Sequence, residues 1–355
     1  MKTILTNCLR KLIMFAIPGL FIMASCEEEL IGTEPVNTPV NNFDYFWKTF
    51  DNHYGLFEVK QIDWNGLYNQ YRKQVNDQMT DAELYVVLTN LIVQLNDNHV
   101  NLYPTNSELP VFPGGVIRYE NEQLTILKVQ KDYSLNVVKN YVPNLKQQTE
   151  FIRYGWLSDN IGYLNIQGTD SQKDTQRALD KILSELQNTQ ALIIDLRGHY
   201  GGMDAVSQLV AGYFSQETKL YMTSRKRNGP GHNDFTSVNE WYVRPAGAAP
   251  YTKPVYVLTS RFTQSAGETL SLALKELSQV TFIGDTTAGG LSDNPNFEMP
   301  NGWIFSVSVG DYRAADGTSY EGKGIPPDQF VRTDKEDLLA GKDPVLEQGI
   351  ARARQ

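Results

Sequence analysis

The chain has 355 residues, 41% hydrophobic and 21% charged, enough apolar material for one large core or two smaller ones. With 27 Gly and 16 Pro, collagen-like repeats and low-complexity disorder are excluded; with 32 Lys and Arg against 41 Asp and Glu, the formal charge of −9 leaves no basic surplus for neutralising phosphates, so nucleic acid is not an expected partner. Both cysteines, Cys8 and Cys26, lie at the start, so disulfide frameworks, thiolate zinc sites and a cysteine nucleophile are excluded from everything downstream.

Residues 1–25 read as an address. Lys2, Arg10 and Lys11 precede an apolar run from Leu12 to Met23, too short to span a bilayer, and Ala24-Ser25 lead into Cys26. The pattern resembles a bacterial lipoprotein signal, which implies that Cys26 becomes the acylated first residue and that the lipid membrane is a partner. The expected location is the cell envelope, facing the periplasm or the outside. Pro, Asn and Thr between Gly32 and Asn42 suit a tether without fixed structure.

Helical periodicity follows from Phe43 to about Leu95. It predicts helices over Phe43–Tyr54, around Trp64–Val75 and over Asp81–Leu95, the last opening with a capping box of Thr80 and Glu83. From Val111 to Val138 the pattern turns to short β-rich runs such as Gly115-Val116-Ile117 and Leu124-Thr125-Ile126-Leu127. Beyond Trp156, apolar strands alternate with amphipathic helices: Ile161–Ile166, Ala191-Leu192-Ile193-Ile194, Val255-Tyr256-Val257-Leu258 and Val280–Ile283. This predicts an α/β fold whose sheet is buried on both faces. A hairpin over Phe297–Val309, turning at Asn301-Gly302, is expected to bury Trp303 and Phe305 in a core.

The four histidines, His53, His99, His199 and His232, show no metal-ligand spacing, and no Walker loop or dinucleotide fingerprint is present, so neither metal nor cofactor is expected. What remains is Ser265, where an apolar strand gives way to a helix. Helix N-terminal N–H groups there are unpaired and favour a developing oxyanion, although an ordinary N-cap serine occupies the same place. A second strand-to-helix turn, Gly198-His199-Tyr200-Gly201-Gly202, is placed to face the first.

Several ordered motifs carry a resemblance. Asp195-Leu196-Arg197-Gly198-His199-Tyr200-Gly201-Gly202 resembles a DLRxNxGG turn, Thr263-Gln264-Ser265-Ala266-Gly267-Glu268 a TxSAxE segment, and Glu321-Gly322-Lys323-Gly324-Ile325-Pro326-Pro327-Asp328 an EGxGVxPD stretch. Leu95-Asn96-Asp97-Asn98-His99 is similar to an L-x-D-x-H segment. These are motifs of the tail-specific or carboxy-terminal processing serine proteases, the last belonging to their tricorn-like branch. The resemblance runs from about Phe43 to Val331. It implies a ClpP/crotonase-like α/β core and hydrolysis of peptide bonds in extracytoplasmic proteins or peptides. One branch of the family takes its base from a lysine in a GxxTxGK segment. Here Gly290 stands at that position, so that dyad is absent. The tricorn-like branch implies Ser265 as nucleophile, His99 as general base and Glu321 as the group that orients it. The oxyanion hole would come from the Ala266 N–H and one of the Gly201-Gly202 pair.

Each assignment has a plainer counterpart: His99 as a helix-end residue, Glu321 as a solvated turn carboxylate, and His199, where the family carries asparagine, as a turn residue or a second base. Asp195 and Arg197 read as braces of their turn, and Lys323 as a surface charge. The expected organisation is a signal peptide over 1–25, a tether over 26–42, an N-terminal helical subdomain over 43–105, a short β-rich connecting region over 106–152, a serine protease core over 153–335 and a C-terminal helical tail over 336–355. The connecting region is too short for a complete PDZ domain, which puts recognition of substrate C-termini in question and leaves the groove to the core, the helices and a lid from the 215–249 insertion. The competing class is a non-catalytic ligand- or peptide-binding lipoprotein on the same fold. A third is acyl hydrolysis of a non-peptide substrate.

Overall fold

In a computed structural model that describes residues 36–105, 107–114, 135–157 and 160–355, the leading segment folds into helices α1 (Pro39–His53), α2 (Phe57–Lys60), α3 (Trp64–Tyr71) and α4 (Asp81–Ile92). The three expected helices are present, but the first starts at Pro39, with Thr38 as its N-cap and the proline at its first position, inside the stretch expected to be a tether without fixed structure. The second and third each end in a 3-10 turn, Arg72–Gln74 and Val93–Leu95. The α4 capping box is reciprocal: the Glu83 N–H donates to the Thr80 hydroxyl and the Thr80 N–H to the Glu83 carboxylate. The apolar faces of these helices, with Phe46, Phe50, Leu88 and Leu91 fully buried, close on a small antiparallel sheet of β1 (Leu102–Tyr103), β11 (Ile304–Ser306) and β10 (Asn296–Glu298). Strands β10 and β11 form the expected hairpin. Gly302 takes φ 83° in its turn, and Trp303 and Phe305 are fully buried in the helical core.

A seven-stranded sheet forms the second body of the fold, in the order β13-β9-β8-β5-β4-β3-β2. Strands β4 (Ile161–Ile166), β5 (Ala191–Asp195), β8 (Val255–Thr259), β9 (Val280–Gly284) and β13 (Gln329–Phe330) run parallel; β3 (Ile152–Leu157) pairs antiparallel with β4 on one side and with β2 (Lys146–Gln147) on the other. Side-chain alternation explains why the central parallel strands carry apolar residues at successive positions. Leu192 and Ile194 face helices α6 (Gln172–Leu186), α7 (Asp204–Gly212) and α8 (Ala266–Lys275), whereas Ala191 and Ile193 face the opposite layer. In register, Asp195 lies beside Leu258 and Thr259 beside Gly284. The carboxyl ends of these strands, and the turns that leave them, therefore lie side by side, where ligand crevices form in parallel sheets.

Three further stretches differ from the sequence expectation. Residues 135–141 form a helix, α5, where β-rich structure was expected: Val138 and Val142, four apart, share one buried face beneath the sheet. The 215–249 insertion is a pair of strands, β6 (Lys219–Lys226) and β7 (Asn239–Val243), joined to β12 (Gly310–Ala314). A register shift between Leu220 and Met222 buries the adjacent Tyr221 and Met222 together, which breaks the alternation that marks a strand. After α9 (Lys335–Leu339), the terminal helix α10 (Pro344–Ala353) packs Leu346 and Ile350 against Ile193, Leu258 and Ile283, so it is a layer of the core. Cys26 and the expected strands at 115–117 and 124–127 lie outside the described residues, none of whose helices is long and apolar enough to cross a membrane.

Candidate active site

Ser265 leads directly into α8 with φ 55° and ψ −122°, a backbone conformation that costs a non-glycine residue about 1–3 kcal/mol. Its neighbours enforce the turn. The Ser265 N–H is shared between the Gly290 carbonyl, 3.2 Å away, and the Glu268 carboxylate at 3.1 Å. The preceding turn is laced to the one after β5. Gln264 N–H donates to the His199 carbonyl, Thr263 Oγ1 to Leu196, Ser260 Oγ to Arg197 and Gln264 Nε2 to Tyr200.

Gly201 is seated on the serine. A Cβ added there would lie 2.9 Å from Ser265 Cβ and 3.3 Å from its Oγ, so the approach is open only to glycine, which also supplies φ 113°. Gly202 takes φ 140° and turns its α-carbon toward Thr169, whose hydroxyl a Cβ would strike at 2.0 Å. Ala266 is fully buried at the first helical position, where the helix offers its N–H no acceptor. The oxyanion candidates thus flank the serine from both turns.

His99 enters from the helical half. Asn96 ends the 3-10 turn in the left-handed conformation with φ 43°, and the buried Asp97 then accepts the His99 N–H at 2.8 Å and the Tyr54 hydroxyl at 2.9 Å. The His99 carbonyl accepts the Ser306 hydroxyl at 2.6 Å, which pins the residue to β11. Its ring lies against Gly290: a Cβ there would sit 3.5 Å from Cε1 and 3.6 Å from Nδ1, and Nδ1 itself is buried without a hydrogen-bond partner. Burial lowers the imidazole pKa and Lys60 adds to this, against the opposing pull of Asp97 and Asp293.

Glu321 is buried, with Oε2 accepting the Leu291 N–H at 2.7 Å and Oε1 2.9 Å from Lys60 Nζ. No hydrogen bond joins it to His99. Burial pushes its pKa up to about 8, and Asp97 adds to the rise, while Lys60 and the Leu291 N–H act in the opposite sense. Ser265, His99 and Glu321 therefore converge on one strip, Gly290-Leu291, each holding a different part of it.

Sequence reasoning passed over two residues of this arrangement. Glu268 is fully buried and gathers four donors: Thr287 Oγ1, Gly289 N–H, Gly290 N–H and Ser265 N–H. Burial still leaves its pKa above the usual carboxylate value. The S-x-x-E spacing from Ser265 was the available signal. Lys60, which also donates to the Asn96 carbonyl at 2.9 Å, has no local signal, because its carboxylate lies far along the chain. His199 is buried, its Nδ1 accepts the Gly201 N–H at 3.2 Å, and burial pushes its pKa down to about 4. A neutral imidazole has one acceptor nitrogen, and here it is taken, so His199 is not the base.

Residues 160–331 match Peptidase family S41, and residues 35–92 match the Tricorn protease C1 domain. The carboxy-terminal processing protease CtpA of Bacillus subtilis is 28% identical over 205 residues, 56% of this chain and 42% of the relative. A carboxyl-terminal-processing protease of Synechocystis is 26% identical over 175 residues, 48% of this chain and 38% of the relative. The chain thus spans less than half the length of these curated relatives. A crystal structure of a Parabacteroides merdae protein superposes with a TM-score of 0.76 at 28% identity, covering 90% of this chain and 97% of that one.

Proposed function

We propose, from the premise that this chain belongs to the carboxy-terminal processing protease family of S41 peptidases, that it is a serine endopeptidase of extracytoplasmic proteins or peptides, with Ser265 as nucleophile and His99 as base. The observation that carries the reading is the meeting at Gly290. The family's lysine base would be carried at this position, and the His99 ring lies in contact with it: a Cβ on residue 290 would sit 3.5 Å from Cε1 and 3.6 Å from Nδ1. Histidine from the helical half then does there what the lysine does in the other branch.

In this reading Ser265 Oγ attacks the scissile carbonyl and passes its proton to the His99 imidazole. The negative charge that develops on the carbonyl oxygen is met by the Ala266 N–H and by the Gly201-Gly202 turn. The imidazolium protonates the departing amine, and water, activated by the same imidazole, releases the acyl group. Glu321 acts through Leu291, fixing the strip against which the ring packs, and adds negative charge nearby when it is ionised. The strain at Ser265 supports a reacting serine, since a residue that only caps a helix adopts the extended backbone seen at Thr80 and Ser171.

Fluorophosphonate labelling tests the assignment. The wild-type chain is expected to label, and Ser265→Ala and His99→Ala to lose the label while remaining folded by circular dichroism. Labelling that survives Ser265→Ala overturns the nucleophile. The location is part of the same proposal: the Lys2-to-Cys26 pattern supports an acylated Cys26 anchor in the cell envelope. Metabolic labelling with a fatty-acid analogue is expected to mark the wild-type chain and not Cys26→Ser.

A further inference from the structure

His199 is the one member of the glycine turn that departs from the family asparagine, and its surroundings give it a definite task. The ring is buried between the two turns that form the site. Nδ1 accepts the Gly201 N–H at 3.2 Å, and the same edge of the ring packs against the first turn of α8. A Cβ added at Gly267 would lie 2.8 Å from His199 Nδ1 and 3.0 Å from its Cγ, nearer than a side chain tolerates. Gly267 has no positive φ and sits inside a helix, where glycine is a cost, so the space it leaves for the ring is the physical reason for glycine there. The His199 carbonyl meanwhile accepts the Gln264 N–H at 3.0 Å, next to the nucleophile.

We propose that His199 is a positioning residue for the oxyanion turn: as a neutral Nε2–H imidazole it holds the Gly201 N–H through Nδ1 and, wedged over Gly267, sets the spacing between that turn and Ser265. The proposal rests on Ser265 as the nucleophile. Because Gly201 spends its N–H on this bond, the N–H left to face the substrate oxygen from this turn is that of Gly202. The 201–202 peptide is held in that orientation before substrate arrives, and preorganisation of this kind is what makes oxyanion donors effective. Asparagine preserves the acceptor in a smaller side chain, and leucine abolishes it.

The test is a comparison of second-order rates of fluorophosphonate labelling, with unfolding midpoints measured in parallel. His199→Leu is expected to label about 10–100-fold more slowly, less than the roughly 10²–10³ typical of losing an oxyanion donor outright, because the donor is misplaced and not removed. His199→Asn is expected to stay within about threefold of wild type, since the acceptor is retained. Gly267→Ala, which crowds the ring, is expected to slow labelling in the His199 background and to do so far less in His199→Asn, where the smaller side chain leaves room. Wild-type rates in a folded His199→Leu chain, or an equal cost of Gly267→Ala in both backgrounds, overturn this assignment alone. Label that persists in Ser265→Ala overturns the nucleophile, and this assignment with it.

Discussion

Arg197→Met is expected to lower stability by about 3–5 kcal/mol, the usual cost of stripping one partner from a buried ionic cluster. The guanidinium lies between two carboxylates with little access to water. Nη1 and Nη2 meet both oxygens of Asp343 at 2.7 and 2.8 Å, while Nε and Nη2 meet those of Asp195 at 3.0 and 2.7 Å. Burial alone raises the Asp195 pKa, but Arg197 outweighs it and holds the carboxyl below its ordinary value. Without the guanidinium both carboxylates stay buried and uncompensated. The damage also extends beyond the turn. Asp343 accepts the Leu346 N–H at 3.1 Å as N-cap of α10, so the helix that closes one face of the sheet loses its fixed start. Arg197→Lys is expected to fall between, because one ammonium cannot hold two carboxylates in bidentate fashion. Urea unfolding at neutral pH measures all three chains; a loss below about 1 kcal/mol for the methionine variant would show that the cluster contributes little.

The Lys60–Glu321 pair predicts a pH dependence of opposite sense to that of an ordinary salt bridge. Burial raises the Glu321 pKa from 4.5 to about 8, so through that window the folded chain keeps a proton that the unfolded chain has released. This contribution is complete below pH 4.5 and is lost as pH rises toward 8. Glu321→Gln keeps the shape and the acceptor for Leu291 but does not titrate. The difference in stability between wild type and this variant is therefore expected to shift against wild type between pH 5 and 8. Lys60→Met removes the cation that pulls the Glu321 value down and leaves Asp97 as its charged neighbour, so the decline should extend to higher pH. At pH 9 the lost pair should cost about 3–5 kcal/mol. Urea midpoints at pH 5, 7 and 9 for the three chains decide the matter. Parallel profiles for wild type and Glu321→Gln would mean that Glu321 titrates as an exposed carboxylate does.

What could be read from the sequence was what short-range chemistry dictates. Thr80 and Glu83 announce α4 because their hydrogen bonds close within one turn. Asn301-Gly302 announces a hairpin because the turn requires a positive φ. The apolar run before Asp195 announces a strand covered on both faces. Ser265, Gly201 and His99 could be picked out because each stands in a recognisable local pattern, and the structure brings the serine against Gly201 and the ring of His99 against Gly290. Lys60 could not be picked out, since nothing around a lysine at the end of a four-residue helix points to a carboxylate at 321. The paired strands β6 and β7 were hidden by their bulge, and α5 by an apolar spacing that also suits a strand. The gathering of Gly289, Gly290 and Leu291 by two buried carboxylates depends on long-range packing alone.

The Gly290-Leu291 strip lies on the seam between two hydrophobic cores. His99 belongs to the helical core with its small sheet, and Ser265 to the core of the large sheet. The two halves bury separate clusters of apolar side chains. With Ser265 as nucleophile and His99 as base, as proposed, reactivity becomes a property of how the two halves are docked, and a probe of the serine reads that docking directly. On gradual heating or in low denaturant, serine reactivity should fade while both cores remain intact, and it should return without refolding when the halves settle back into register.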